Sequence, residues 1–485
     1  MAAPLHTVFA DLEADAEANV AKGFLCLAID HYAATRSDDA RVSTSLSPEE
    51  IASRFDEPLP ATGRSIDRVL ERLRRDVLPE SNHLTNPRAM GHQVSAPLPA
   101  AVWTEPVVAA LNQSVAVWEM SPVGTILEAR VLRWMCDLAG FGPEAGGTFT
   151  SGGTEATFTA LLAARAAALP EAWTKGFGAA PPVVVHGEHA HYAVARAVGA
   201  MGLGTDNAVS VPSREWKMDV AALEALLDRL AAEDRAVMAV VATAGSTATG
   251  SFDDLESIGK LCEERGLWLH VDGAHGASAL FSATHRGRLR GLERARSIAW
   301  DPHKMMLMPL SAGMVLVRDE RDLDAAFAQR APYLFHARDG SRAWDQGKRS
   351  FQCSRRMDVL KVWVALQRYG AEGLGAIYDH LCATARALHA AVVARPDFEA
   401  LNEPESNILC FRWVGDRSLD ADRLDALNLS LREAFNRSGE GWITTTVLGG
   451  KRVLRVTVMN PRTSARHVES VLDGLGRMVE SLATS

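Results

Sequence analysis

From about Gly146 onward, short apolar runs alternate with longer amphipathic ones. Val183-Val184-Val185 leads into a helix-like stretch 192–201, and Ala208-Val209-Ser210-Val211 leads into 220–232. The run 237–243 precedes a helix opened by Asp253, with Glu256 in capping-box position, ending near Gly266. Leu267-Trp268-Leu269-His270-Val271 reads as the next strand, followed by Ser297-Ile298-Ala299-Trp300 and 313–317. Such alternation predicts β-α-β units, hence a mostly parallel sheet covered on both faces, with ligands at the carboxyl ends of its strands.

The flanks differ. Residues 1–98 read as helical and irregular, with a good helix start at Ser47-Pro48-Glu49-Glu50 and a Pro-containing connecting passage at 79–99. The polar stretch 336–349 offers nothing to bury and reads as a mobile loop. Beyond Asp358 a long helical pattern runs to about Ala394, and 407–412 and 453–459 read as strands of a smaller α/β unit. The expected division is an N-terminal helical segment (1–98), a large domain (99–370) and a small C-terminal domain (371–485).

Composition narrows the function classes. A chain of 485 residues is too long for one core. Its net charge of -9 argues against a nucleic-acid partner, which needs concentrated Lys and Arg. The acidic start lacks the basic and apolar pattern of a secretory peptide, and no run approaches the ~18 apolar residues of a membrane span. Six scattered cysteines suggest neither a disulfide framework nor a zinc ribbon. The expectation is a cytoplasmic protein with no membrane partner.

Four local patterns carry chemistry, each with a plainer alternative. In 150–157, Gly152-Gly153-Thr154 runs into a helix, so close backbone approach, free N–H groups and a hydroxyl could cradle a phosphate; a simple turn reads the same way. In 269–275, Asp272 ends an apolar strand and could pair with a protonated pyridine nitrogen or merely cap the next helix. In 300–306, Lys304 precedes Met305, Met306 and Leu307, the desolvated setting an imine-forming amine needs, although most lysines are solvated surface residues. In 186–192, His186, His189 and His191 crowd a strand end. They could bind a metal, or His191 could lie on a cofactor ring while the others are structural; no carboxylate-rich partner motif completes a metal site.

Together these motifs make the chain resemble the pyridoxal-phosphate-dependent group II amino-acid decarboxylases, which act on aromatic amino acids, glutamate, cysteine sulfinate and diaminobutyrate. The likeness spans nearly the whole chain, from Asn86-Pro87-Arg88 to Leu454–Asn460, and Asp301-Pro302-His303-Lys304 with His270–His275 is its most specific part. The resemblance implies an aspartate-aminotransferase-like fold (fold type I), with a large mostly parallel sheet domain and a small C-terminal α/β domain. It implies pyridoxal 5'-phosphate held as a Schiff base on Lys304, Asp272 on the pyridine nitrogen, His191 on one ring face and Ala274 on the other. Gly153, Thr154 and His303 would hold the phosphate, Thr247 would sit near the 3-hydroxyl, and Arg455 would take the substrate α-carboxylate. A homodimer with shared active sites is implied as well.

Two departures bear on the reaction. Many relatives protonate the substrate carbon with a tyrosine from the mobile loop, and 336–349 contains none; the nearest, Tyr333, precedes it. Either His191 or another group such as His336 donates the proton, or oxygen intercepts the reaction and an aldehyde results. The stretches around His92-Gln93 and Ala116, and the motif 351–358 with Arg355 and Arg356, suggest a polar or acidic substrate, although the two arginines are equally suited to structural ion pairs. The expected activity is α-decarboxylation of an L-amino acid to the amine and carbon dioxide; a decarboxylation-dependent aldehyde synthase or a carbon-carbon lyase is the alternative.

Overall fold

The computed structural model describes residues 5–178, 180–327, 331, 335, 344–415 and 418–483, with the side chains of 5–8 and 483 left aside. Tyr333 and residues 336–343 of the expected mobile loop, His336 included, lie outside the described residues. The chain divides into two compact units. One comprises Gln93–Arg386 and Asn402–Leu409; the other comprises Met1–His92, Ala387–Leu401 and Cys410–Ser485.

The larger unit is built on a seven-stranded sheet. Its strands are β1 (Gly146–Thr150), β2 (Val183–Gly187), β3 (Ala208–Val211), β6 (Val237–Thr243), β7 (Trp268–Asp272), β8 (Ser297–Trp300) and β9 (Gly313–Val317). A small hairpin, β4 (Ser213–Arg214) with β5 (Lys217–Met218), stands apart from it. The order is β1-β9-β8-β7-β6-β2-β3. Pairs from β8 through β3 are parallel, while β9 runs antiparallel to both β8 and β1. Strands buried on both faces need apolar residues at successive positions, and β2, β6 and β7 have them: nearly every residue is buried.

The antiparallel return of β9 decides where the chemistry sits. Because no crossover helix is needed, residues 301–312 form a tight connection at the carboxyl ends of the parallel strands. Thr150, the last residue of β1, is paired with Gly313, the first of β9, so the turn after β1 reaches the same edge. The helix Gly153–Ala168 then packs Ala156 and Ala160 on Ala299, Val315 and Val317. Alanines on this face let the helix lie close to the sheet.

One helix start differs from expectation. The cap of Leu255–Glu264 is Asp254, which accepts from the Ser257 N–H. Asp253 is buried instead and accepts the N–H groups of Met218 and Thr243, each at 2.7 Å. Burial pushes its carboxyl pKa up against the pull of those two bonds. The pattern past Asp358 forms Val359–Val393, interrupted at Gly370, where φ is 67°.

The smaller unit carries a four-stranded sheet of order β10-β11-β13-β12, with β10 (Phe398–Ala400), β11 (Ile408–Trp413), β12 (Thr444–Leu448) and β13 (Lys451–Thr457). Residues before 93 do not stand alone as the expected N-terminal segment. Backbone bonds join Val42 N–H to Gly439 O (2.9 Å), Met90 N–H to Trp442 O (2.8 Å) and Thr457 N–H to Met90 O (2.9 Å), so main-chain pairing carries this segment into the C-terminal unit. The capping box at Ser47 is formed, with Glu50 N–H on Ser47 Oγ and Ser47 N–H on Glu50 Oε2.

No helix among the described residues is long and apolar enough to cross a membrane. None of the six cysteines forms a disulfide, and Cys26 and Cys353 are exposed. Burial pushes the thiols of the other four, Cys136, Cys262, Cys382 and Cys410, up to about 12.

Candidate active site

The turn after β1 is shaped by what surrounds it. A Cβ on Gly153 would lie 2.9 Å from Ala274 Cβ and 3.1 Å from Asp301 Oδ2, so only glycine fits without displacing them. A Cβ on Gly313 would fall 2.5 Å from Gly152 Cα, so β9 can meet the turn only through glycine. Glu155, one turn into the helix, reaches back to accept from both the N–H and Oγ of Ser151 and from Gln352 Nε2. Thr154 is half-buried and lines a cavity of about 440 Å³ with Phe158, Arg196 and Phe351.

Asp272 closes β7 at the same edge. Its Oδ1 accepts the Ala274 N–H at 3.2 Å, and the Ala274 carbonyl accepts the Asp301 N–H at 3.1 Å. Ala274 thus ties the Asp272 turn to the Lys304 turn. The loop bearing Thr247 packs here too: Ala244 N–H donates to Asp272 O, and Gly276 N–H donates to Ala244 O. Gly245, at φ 84°, has no room for a Cβ, which would lie 2.8 Å from Gly276 N.

Lys304 is reached through Asp301. Lys304 Nζ lies 3.2 Å from Asp301 Oδ2, the oxygen that also accepts the Gly153 N–H at 3.0 Å. His303 Nδ1 accepts the Ala312 N–H at 3.0 Å, which leaves the proton of the neutral ring on Nε2, 3.4 Å from that same oxygen. Burial lowers the His303 pKa, and the Asp301 charge offsets this only in part. Met305, Met306, Leu307 and Met308, which follow the lysine, are buried. Ser95 Oγ donates to His303 O, and Leu98 N–H to Leu307 O, clamping the turn from the other side.

His191 follows β2 and is half-buried. Its Nδ1 accepts the Ala193 N–H at 3.3 Å, placing the proton of the neutral ring on Nε2. Burial lowers its pKa most, while the charges of Asp272 and Asp301 raise it and those of Lys304 and Arg196 lower it. All four charges therefore act on one ring. The neighbouring histidines are engaged otherwise: His186 Nδ1 meets Gly187 O, and His189 Nε2 lies 3.0 Å from Ser213 Oγ.

The residues expected to read the substrate are divided between the units. Gln93, in the larger one, has a buried Nε2 with no partner among the described residues. In the smaller one, Arg455 on β13 is 6% exposed, has no carboxylate partner among the described residues, and its Nε makes no hydrogen bond. Burial lowers its pKa below the ordinary arginine value. Partial burial, then Arg455 and Arg432, lower the pKa of His92. Arg355 serves the interior instead, donating to Glu128 Oε1 (2.5 Å), Phe149 O (3.0 Å) and Val115 O (3.1 Å). Arg356 pairs with Glu105 and Asp358.

The larger unit therefore gathers Gly153, Asp272, Ala274, His303 and Lys304 at one sheet edge. Two participants had no role assigned from sequence. Asp301 stood inside the Lys304 motif, but its contact to Gly153, 148 positions away, has no local signal. Glu155 was more accessible, since the Ser151–Glu155 spacing is that of a side chain folding back over a helix start.

Comparison with known proteins gives this constellation its context. Residues 48–414 match the pyridoxal-dependent decarboxylase conserved domain. The chain belongs to this family. It is 36% identical over 434 residues to an L-2,4-diaminobutyrate decarboxylase of Rhizobium meliloti, covering 88% of this chain and 85% of that enzyme. It is 33% identical over 448 residues to the cysteine sulfinic acid decarboxylase of Rattus norvegicus, covering 90% of each. The crystal structure of mouse CSAD superposes with a TM-score of 0.90 at 29% identity, covering 95% of this chain and 98% of that one.

Pyridoxal 5'-phosphate is the cofactor of this decarboxylase, and the fold is the expected fold type I. The residues present fit it. A glycine turn opens the helix Gly153–Ala168 at this edge, a carboxylate closes a neighbouring strand end, and an amine stands on a buried turn.

Proposed function

We propose that this decarboxylase acts on an L-amino acid with a polar or acidic side chain, releasing the amine and carbon dioxide, and that the residues singled out from sequence carry the reaction. The observation that carries the reading is the convergence of Lys304, Asp272, His303 and Gly153 at one edge of the sheet. Bound pyridoxal 5'-phosphate supplies an electron sink for the bond that breaks. Lys304 provides the amine that anchors it. Asp272 would sustain positive charge on the ring nitrogen, His191 and Ala274 would flank the ring, and Thr247 would sit near its 3-hydroxyl. Gly153, Thr154 and His303 would hold the phosphate.

Arg455 takes the α-carboxylate. A buried guanidinium without a carboxylate of its own is supported as a receptor for one, because its fork matches that group bidentately. His191 keeps a proton on Nε2 for delivery to the substrate carbon. His92 and Gln93 read the side chain. The names of the relatives, acting on diaminobutyrate and cysteine sulfinic acid, support polar substrates. The enzyme works as a homodimer, as the resemblance implies, and in the cytoplasm, as the scattered cysteines suggest.

Carbon dioxide release is to be measured on glutamate, aspartate, cysteine sulfinate, diaminobutyrate and tyrosine, with the organic product identified. Preference for a polar or acidic member, with amine formed, is expected. Preference for tyrosine would sink the substrate reading. Stoichiometric hydrogen peroxide with aldehyde, the alternative that the lack of a tyrosine in 336–349 leaves open, would remove His191 as the proton donor.

A further inference from the structure

Asp301 places a carboxylate where a phosphate cradle calls for donors. Its Oδ2 gathers the Gly153 N–H, Lys304 Nζ and His303 Nε2 within 3.4 Å. Its Oδ1 is buried and meets no donor among the described residues, and the residue is 1% exposed. An ion pair with Lys304 accounts for Oδ2 but leaves Oδ1 unexplained. A buried acceptor without a donor is costly, so its donor should arrive with the ligand. A phosphate monoester is an unusual anion in that it can bring one: its second ionisation lies near ~6, and in the monoanion one oxygen still carries a proton.

We propose that Asp301 makes the cradle bind the cofactor's phosphate with one proton shared between that phosphate and the Asp301 carboxyl, so that Oδ1 meets an O–H brought by the ligand. This rests on the assignment of Gly153 and His303 to the phosphate. Two anions side by side in a buried site cannot both stay ionised cheaply, and sharing one proton resolves the repulsion. Binding therefore takes up a proton wherever the free phosphate is a dianion, and affinity falls as pH rises above ~6. Other charged groups face the same region: His303 and Lys304 on the turn itself, Asp272 and His191 at neighbouring strand ends, Arg196 acting on His191, and Lys361 acting on His303. They are common to wild type and variant, so the difference between the two proteins isolates Asp301.

The probe is pyridoxine 5'-phosphate, which has no aldehyde to react with Lys304. Its binding to cofactor-free protein is measured by calorimetry at pH 6 and pH 8, in buffers of different ionisation enthalpy, which counts protons taken up. Wild type should take up close to one proton more per ligand at pH 8 than Asp301→Asn. The variant should bind about tenfold or more tightly than wild type at pH 8, with the gap closing towards pH 6. Asp301→Ser, which keeps a neutral acceptor for the Gly153 N–H, should behave likewise, and melting curves confirm that both variants fold. Equal proton uptake and equal pH dependence in folded variants and wild type would overturn the proposal. The phosphate assignment fails separately, if Gly153→Val leaves wild-type affinity for the probe unchanged.

Discussion

Replacing Arg355 by Ala tests whether this arginine is structural or reads the substrate. Arg355 and Glu128 are 3% and 1% exposed, and Arg355 also serves the carbonyls of Val115 and Phe149. Its loss leaves Glu128 buried with one N–H, that of Phe149, and takes the guanidinium donor from the Val115 and Phe149 carbonyls, the latter keeping Thr148 Oγ1 at 3.5 Å. Removing one partner of a buried pair costs about 3–5 kcal/mol. At about 2 °C per kcal/mol for a large unit, the melting temperature should drop by roughly 6–10 °C. Replacing both partners, Glu128→Leu with Arg355→Met, should recover most of that loss, because no charge is then left unpaired. Scanning calorimetry of the holoenzyme gives the melting temperatures, and steady-state kinetics on the preferred substrate gives KM. An unchanged melting temperature with KM raised tenfold or more would refute the structural assignment and return Arg355 to the substrate pocket.

Three further outcomes follow from the geometry. Lys304→Ala should lose turnover by several orders of magnitude, and borohydride should no longer fix cofactor to the chain, although non-covalent cofactor is retained; normal turnover would rule out Lys304 as the anchoring amine. Gly153→Val should weaken cofactor binding at least tenfold in a spectroscopic titration, since even the Cβ lies 2.9 Å from Ala274 Cβ. His270 is fully buried, and burial lowers its pKa to about 4. The unfolded chain protonates this group near ~6.5 while the fold refuses the proton, so stability present above ~6.5 is lost as pH falls towards 4, on the order of 3 kcal/mol in all. Urea midpoints measured across that window should flatten in His270→Gln.

The sheet was legible because buried parallel strands must be apolar at successive positions. Val183-Val184-Val185 and 237–243 could hardly serve elsewhere. β1 was harder, since Gly146-Gly147-Thr148-Phe149-Thr150 has one large apolar residue and resembles a loop. The direction of β9 left no mark in its own composition, yet it brings Gly313 against Gly152. Lys304, Asp272 and the Gly153 turn were legible as motifs, because each makes its case within a few residues. Asp301 on Gly153 and Arg355 on Glu128 were not, since such pairs join segments whose proximity exists only after folding. The same limit placed the helix cap one residue early: Asp253 was drawn away by Met218 and Thr243 into an interior bond invisible in local sequence.

The uneven burial of the cysteines has a practical side. Four thiols with pKa values pushed to about 12 are almost wholly protonated at neutral pH and shielded from reagents. Alkylation should fall on Cys26 and Cys353, and with Cys26→Ser on Cys353 alone. Cys353 follows Gln352, whose amide donates to the same Glu155 oxygen that holds Ser151 at the mouth of the cradle. A single environment-sensitive dye there needs no engineered attachment point. It would turn the natural sequence into an optical gauge of how the Ser151–Glu155 corner responds when ligand arrives.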